Sequence, residues 1–242
     1  MRRSSGGSCT RRSVGGGGGM RRSSGSSGPR KSGGGGSGMM RRSSGGNDLR
    51  KILTNDPLKE MTLCSGSSIL YKNCTVHTVI NFFIHENYNN TINDYDVAVL
   101  QVKKFTYDKH TKAVALASNR YVRRKWGIIC GWGYYQKFNG TIMPVLSKNL
   151  QCATVPLINN TICQKDYANR YIVTPRMTCY GFQEGGIDAC QGDSGGALVN
   201  IENVLLGITS WGDGCADKYS PGVYTDMILL RHWIRNKTEI SA

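Results

Sequence analysis

Residues 188–199 read Asp188-Ala-Cys-Gln-Gly-Asp-Ser-Gly-Gly-Ala-Leu-Val199, and this stretch decides the fold. Its one serine, Ser194, stands between an aspartate and two glycines. A serine nucleophile must present its hydroxyl on a tight turn, and flanking glycines let a substrate approach the backbone. On such a turn the N–H groups of Gly192 and Ser194 can point at the oxyanion that develops in acyl transfer. Asp193, beside the serine, is unusual there unless a cation meets it.

Around this stretch, short apolar runs broken by Gly, Asn, Asp and Pro occupy residues 75–84, 97–102, 126–132, 150–158, 197–199 and 204–211. They are rich in Val, Ile, Tyr and Thr, which predicts a β-rich domain with non-local pairing. At 227–236, Leu229, Leu230, Trp233 and Ile234 recur at helical spacing. The expected fold is all-β, closed by a C-terminal helix. No apolar run is long enough for a membrane span.

Before residue 48 the composition changes. Residues 1–47 are mostly Gly, Ser and Arg, and Met-Arg-Arg-Ser-Ser-Gly recurs at Met1, Met20 and Met40. These units have nothing to bury, so the reading is a disordered low-complexity tail followed by one domain over 48–242. Of the net charge of +15, +10 lies in residues 1–50, so the domain itself is only mildly basic. No aromatic is interleaved among the tail arginines, and no nucleic-acid partner is expected. Nine cysteines and five Asn-x-Ser/Thr sequons, at Asn73, Asn89, Asn139, Asn159 and Asn236, point to secretion through an oxidising compartment. The N-terminus has no apolar leader, which suggests that it is not the native one.

The run Cys190-Gln-Gly-Asp-Ser-Gly-Gly-Ala197 resembles the chymotrypsin/trypsin family of serine endopeptidases, and the rest of the domain agrees in order. Asn93-Asp-Tyr-Asp-Val-Ala-Val-Leu100 resembles the segment around the triad aspartate, which makes Asp96 that residue. His85-Glu-Asn-Tyr88 resembles its lead-in, and Cys130-Gly-Trp-Gly133 resembles the start of the second barrel. Met177-Thr-Cys-Tyr-Gly181 resembles the strand before the nucleophile, with Tyr180 where Ala is usual. Ser210-Trp-Gly-Asp-Gly-Cys215 and Pro221-Gly-Val-Tyr-Thr225 resemble the walls of the specificity pocket. The resemblance implies two six-stranded barrels, the first incomplete here, and Ser194 as nucleophile. It places Asp188 at the base of a pocket lined by Ser210, Trp211, Gly212 and Gly222. A carboxylate at the end of an open slot calls for a cation, so cleavage after Arg or Lys is the implied preference.

The resemblance also exposes a gap. The family's base is a histidine some 40 residues or more before the triad aspartate, and residues 1–76 contain none. His77 lies in an alternating strand and His85 in a structural motif. His110 lies in a polar loop and His232 in the terminal helix, and none of the four suits the role. The family's activated N-terminus, whose amino group pairs with the aspartate beside the nucleophile, has no counterpart either. Asp193 is therefore expected to be unpaired and to pull the 192–194 loop out of shape. The chain reads as a truncated protease or an inactivated paralogue such as those of parasitic mites.

The family's pattern further implies disulfides Cys163–Cys179 and Cys190–Cys215. The usual partner of Cys152 falls in the absent N-terminal part, and Asn200 stands where Cys is frequent. Cys9, Cys64, Cys74, Cys130 and Cys152 remain unassigned, and at least one is expected to lack an internal partner. The expected function is an impaired, monomeric, secreted serine endopeptidase, with a non-catalytic binder of proteins or inhibitors as the alternative. No metal or other cofactor is expected.

Overall fold

The computed structural model describes residues 61–118, 124–135, 137–138 and 141–238. The low-complexity tail and Cys9 lie outside the described residues. In chain order the elements are β1 (Thr62–Ser65), β2 (Thr75–Ile84), β3 (Ala98–Val102), β4 (Ala115–Leu116), β5 (Trp126–Gly131), β6 (Lys137–Phe138), β7 (Thr141–Ile142) and β8 (Gln151–Ile158). They continue with α1 (Asn160–Tyr167), β9 (Met177–Tyr180), β10 (Ala197–Val199), β11 (Val204–Trp211), β12 (Gly222–Asp226) and α2 (Met227–Thr238).

Two sheets organise the domain. Strands β10, β5, β8, β9, β12 and β11 follow one another, and a β10–β11 pairing closes the ring; β4 extends it beside β11. This is a closed six-stranded barrel, in which no member is left with an open edge. The other sheet has the order β1-β2-β3. The mostly-β architecture, second sheet and C-terminal helix are those of a chymotrypsin-like fold.

The barrel fills with large side chains. Tyr180 and Tyr224, both fully buried, meet edge to face at 5.9 Å, amid Ile129, Val155, Leu198 and Leu206. Tyr180 fits because its neighbour across the barrel is small: a Cβ on Gly127 would come within 3.1 Å of its ring and would collide with Leu198. The Tyr180 hydroxyl reaches out of the core and donates to the Arg124 carbonyl at 2.9 Å. Helix α2 covers a separate cluster in which Met227, Leu230 and Ile234 pack with Leu205, Ile208, Val97 and Val99.

Helix α1 is a feature that hydrophobic periodicity alone did not announce. It is only eight residues long, and Cys163 and Tyr167 are its buried members. Its start was nonetheless encoded: Asn159 caps it, its side-chain oxygen accepting from the Thr161 N–H at 2.9 Å.

All eight described cysteines are paired. Cys163 bonds Cys179 and Cys190 bonds Cys215. Cys152 does not need a partner from the N-terminal part: Cys130 stands directly opposite it in the β5–β8 ladder and bonds it, with the Cα atoms 4.2 Å apart. Cys64 bonds Cys74 and pins β1 to the start of β2. Asn200 takes a different job, its side-chain oxygen accepting from the Glu202 and Val204 N–H groups at 2.9 Å each to shape the β10–β11 turn.

Candidate active site

The turn that carries Ser194 is anchored to β11. Gly195 N–H donates to the Thr209 carbonyl at 2.8 Å, and Thr209 N–H returns a bond to the Gly196 carbonyl at 2.9 Å. Within the turn, Asp193 N–H donates to the Cys190 carbonyl and Gly196 N–H to the Asp193 carbonyl, each at 2.9 Å. Gly192 has φ +106°, in the left-handed half of conformational space, and a Cβ there would come within 2.7 Å of the Gly133 backbone. The sequence needs glycine at 192 for both reasons.

Asp96 meets the same strand one residue further on. Ser210 Oγ donates to the Asp96 carboxylate at 2.7 Å, and Thr225 Oγ1 donates to the Asp96 carbonyl at 2.8 Å. Adjacent residues of β11, Thr209 and Ser210, thus hold the Ser194 turn and Asp96, which are 98 positions apart in the chain. Thr209 and Thr225 had no signature as site residues, because their part depends on which strands become neighbours.

Asp193 differs from the expectation of an unpaired carboxylate. Its oxygens accept from the Gly133 N–H at 2.7 Å and from the Cys190 N–H at 2.9 Å. Glycine is required at 131 and 133 by this close approach, since a Cβ at either would collide with the carboxylate. The turn is therefore held by one backbone donor just past β5 and one within its own segment, and these satisfy a group that burial would otherwise penalise.

Asp188 lies close to Gly222. A Cβ on Gly222 would sit 2.5 Å from its carboxylate and 3.0 Å from the Tyr224 hydroxyl, whereas a Cβ on Gly212 would meet only open space out to 3.8 Å. Burial pushes the Asp188 carboxyl up to about 7, while the N–H groups of Ala189 and Ala216, at 2.7 and 3.4 Å, pull it back. The disulfide Cys190–Cys215 joins the segment after Asp188 to the segment after β11, and Trp211 stands edge-on to the ring of Tyr167 at 4.9 Å.

Comparison with known proteins shows the family. Residues 50–234 match the family model described as Trypsin. The chain belongs to the trypsin family. It is 39% identical to Hypodermin-B of Hypoderma lineatum over 172 residues, which is 70% of this chain and 64% of that protein. It is 37% identical to the Vitellin-degrading protease of Bombyx mori over 172 residues, 70% of this chain and 63% of the relative. Transmembrane protease serine 11C of Mus musculus is 37% identical over 177 residues, 70% of this chain and 40% of the relative. The chain thus spans less than two thirds of the length of each.

Against the trypsin-family pattern, the histidines stand out. His77 is buried with both ring nitrogens occupied, one with Ser65 Oγ and one with the Lys104 carbonyl, each at 2.9 Å, and its ring stacks on Phe105. His85 packs against Tyr95 and Trp233 and accepts from the Asn87 N–H; burial, opposed by the charge of Glu86, keeps its pKa below the usual imidazole value. His232 faces Asn236 on the exposed side of α2, and His110 lies on an exposed loop after Asp108.

Proposed function

We propose that this 242-residue chain recognises Arg and Lys side chains of peptides or proteins at Asp188 and does not cleave them at a protease's rate. The observation that carries this reading is the employment of its histidines. The rings of His77 and His85 are committed to packing and hydrogen bonds, His232 sits on α2, His110 lies in a loop, and residues 1–76 hold no other. A serine hydroxyl without a base is a weak nucleophile. Loss of a triad member costs roughly 10⁴–10⁶-fold in kcat, the remainder coming from binding and the oxyanion hole. Asp193, satisfied by backbone donors, supports a formed oxyanion turn at Gly192 and Ser194, so the chain keeps recognition while lacking the proton acceptor.

The deciding assay is hydrolysis of an Arg-ester and an Arg-amide by the purified chain, with Ser194→Ala as control. Turnover within tenfold of an active trypsin-family protease, abolished by Ser194→Ala, overturns the reading and makes the chain an endopeptidase; His77 is then the first residue to replace. Titration with an aromatic amidine tests the pocket itself. Only ionised Asp188 holds a cation, and burial pushes its carboxyl up to about 7, so affinity should fall by up to about tenfold per pH unit below that value. Asp188→Asn should remove both the affinity and its pH dependence.

Four disulfides indicate an oxidising compartment. We extend this to a secreted, monomeric glycoprotein: Asn73, Asn89, Asn159 and Asn236 are exposed, and Asn139 lies outside the described residues.

A further inference from the structure

We propose that Arg170 is a positioning residue for cation recognition, acting through the 212–220 loop that walls the Asp188 slot; this rests on the reading of Asp188 as a cation site. Arg170 follows the C-terminal end of α1, and its guanidinium ties both ends of that loop to the helix. Nη1 donates to the Asp213 carboxylate at the front of the loop and, at 3.5 Å, to Ser220 Oγ at its end. Nη2 donates to the Tyr219 carbonyl at 3.3 Å and to the Asp166 carbonyl of α1 at 2.7 Å. The guanidinium also lies over the Tyr167 ring at 5.2 Å, and the Tyr167 hydroxyl donates to the Pro221 carbonyl at 2.6 Å.

The loop needs such support. Ala216 and Tyr219 both have positive φ, +56° and +55°, a conformation that a residue with a Cβ holds only when its surroundings enforce it. Arg170 bonds the carbonyl of one of these two residues, and the N–H of the other is a donor to Asp188. Gly222, whose lack of a side chain leaves room for the Asp188 carboxylate, comes two residues after Ser220. If the loop shifted, both the depth of the slot and a donor on its carboxylate would change. Lysine cannot replace this arrangement: one ammonium does not span acceptors lying on the helix and on both ends of the loop.

The Arg170–Asp213 contact is itself open to solvent, with side-chain exposures of 39% and 35%, so it contributes little to global stability. Its loss should therefore appear in ligand binding rather than in unfolding. The experiment is a calorimetric titration of the full chain with benzamidine, alongside thermal unfolding. Arg170→Ala and Arg170→Lys should each weaken binding roughly tenfold or more while the melting temperature stays within a few degrees. In an Asp188→Asn background, itself weakened at least about a hundredfold, Arg170→Ala should add almost nothing, because it acts through the same site. Wild-type affinity in Arg170→Ala, or full rescue by Lys, with Asp188→Asn still impaired, overturns the role of Arg170 alone. Equal affinity of wild type and Asp188→Asn overturns the cation slot and the inference with it.

Discussion

The two larger sheets of this molecule meet the same requirement in opposite ways. The six-stranded barrel closes on itself and keeps its own core, from Ala117 and Ile129 to Tyr180 and Tyr224, all at 6% exposure or less. In the β1-β2-β3 sheet, His77 and Val79 of β2 face inward, but Val76 and Ile80 on the other face are 63% and 46% exposed. The inward residues nearest β3, Val97, Val99 and Phe83, pack into a cluster whose other members come from α2, β11 and their neighbours. A closed sheet supplies its own interior, whereas an open one depends on what it leans on. Polar contacts add to that support, among them Asp94 with Arg176 and Thr174, Glu86 with Trp233 and Lys237, and Asp96 with Ser210.

The sharpest way to break the comparison is to attack each half at its strongest point. Tyr180→Ala empties the centre of the barrel and should cost about 3–5 kcal/mol in urea unfolding, exposing the whole domain in one transition. A loss below 1 kcal/mol would mean that the barrel core is not what holds the fold together.

Asp94→Ala should cost somewhat less, about 2–4 kcal/mol, because Arg176 is left partly buried without its carboxylate yet keeps some contact with water. Here the transition should split, with the three-stranded sheet unfolding before the barrel. Burial would raise the Asp94 carboxyl, but bonds from Arg176 and Thr174 outweigh it and hold the carboxyl below the usual range. Asp94 therefore adds stability that is full above about pH 4 and is lost as the pH falls through its depressed value. Amide exchange of β1–β3 that stays level with the barrel between pH 6 and pH 3 would remove the distinction between the halves.

Replacing Cys64 and Cys74 by Ser opens a short loop and should cost about 2–3 kcal/mol, confined to β1 and the start of β2. At the small end, Val76→Thr and Ile80→Thr change outward residues of the open sheet and should stay within about 0.5 kcal/mol of wild type. A larger loss in either would show that something covers this face in solution.

Much of both larger sheets was legible because their strands carry their signal locally. The runs read at 75–84, 197–199 and 204–211 coincide with β2, β10 and β11. The final helix starts where its apolar spacing starts, at Met227. Helix α1 escaped that reading since its apolar stripe is weak, although its Asn159 cap was there to be read. Cys130–Cys152 escaped for a different reason: only the β5–β8 register makes those two residues neighbours.

By itself the sequence determined the glycine-flanked turn at Ser194 and the positions of the four histidines. A turn of glycines around Ser194 is dictated by sterics within a few residues, and where the histidines fall is a matter of counting. The tertiary structure decided the partners: which strand holds both Asp96 and Ser194, which N–H groups satisfy Asp193, and which arginine meets Asp94 from 82 residues away. Such partners are chosen by strand register and barrel closure, and no local pattern in the chain carries that information.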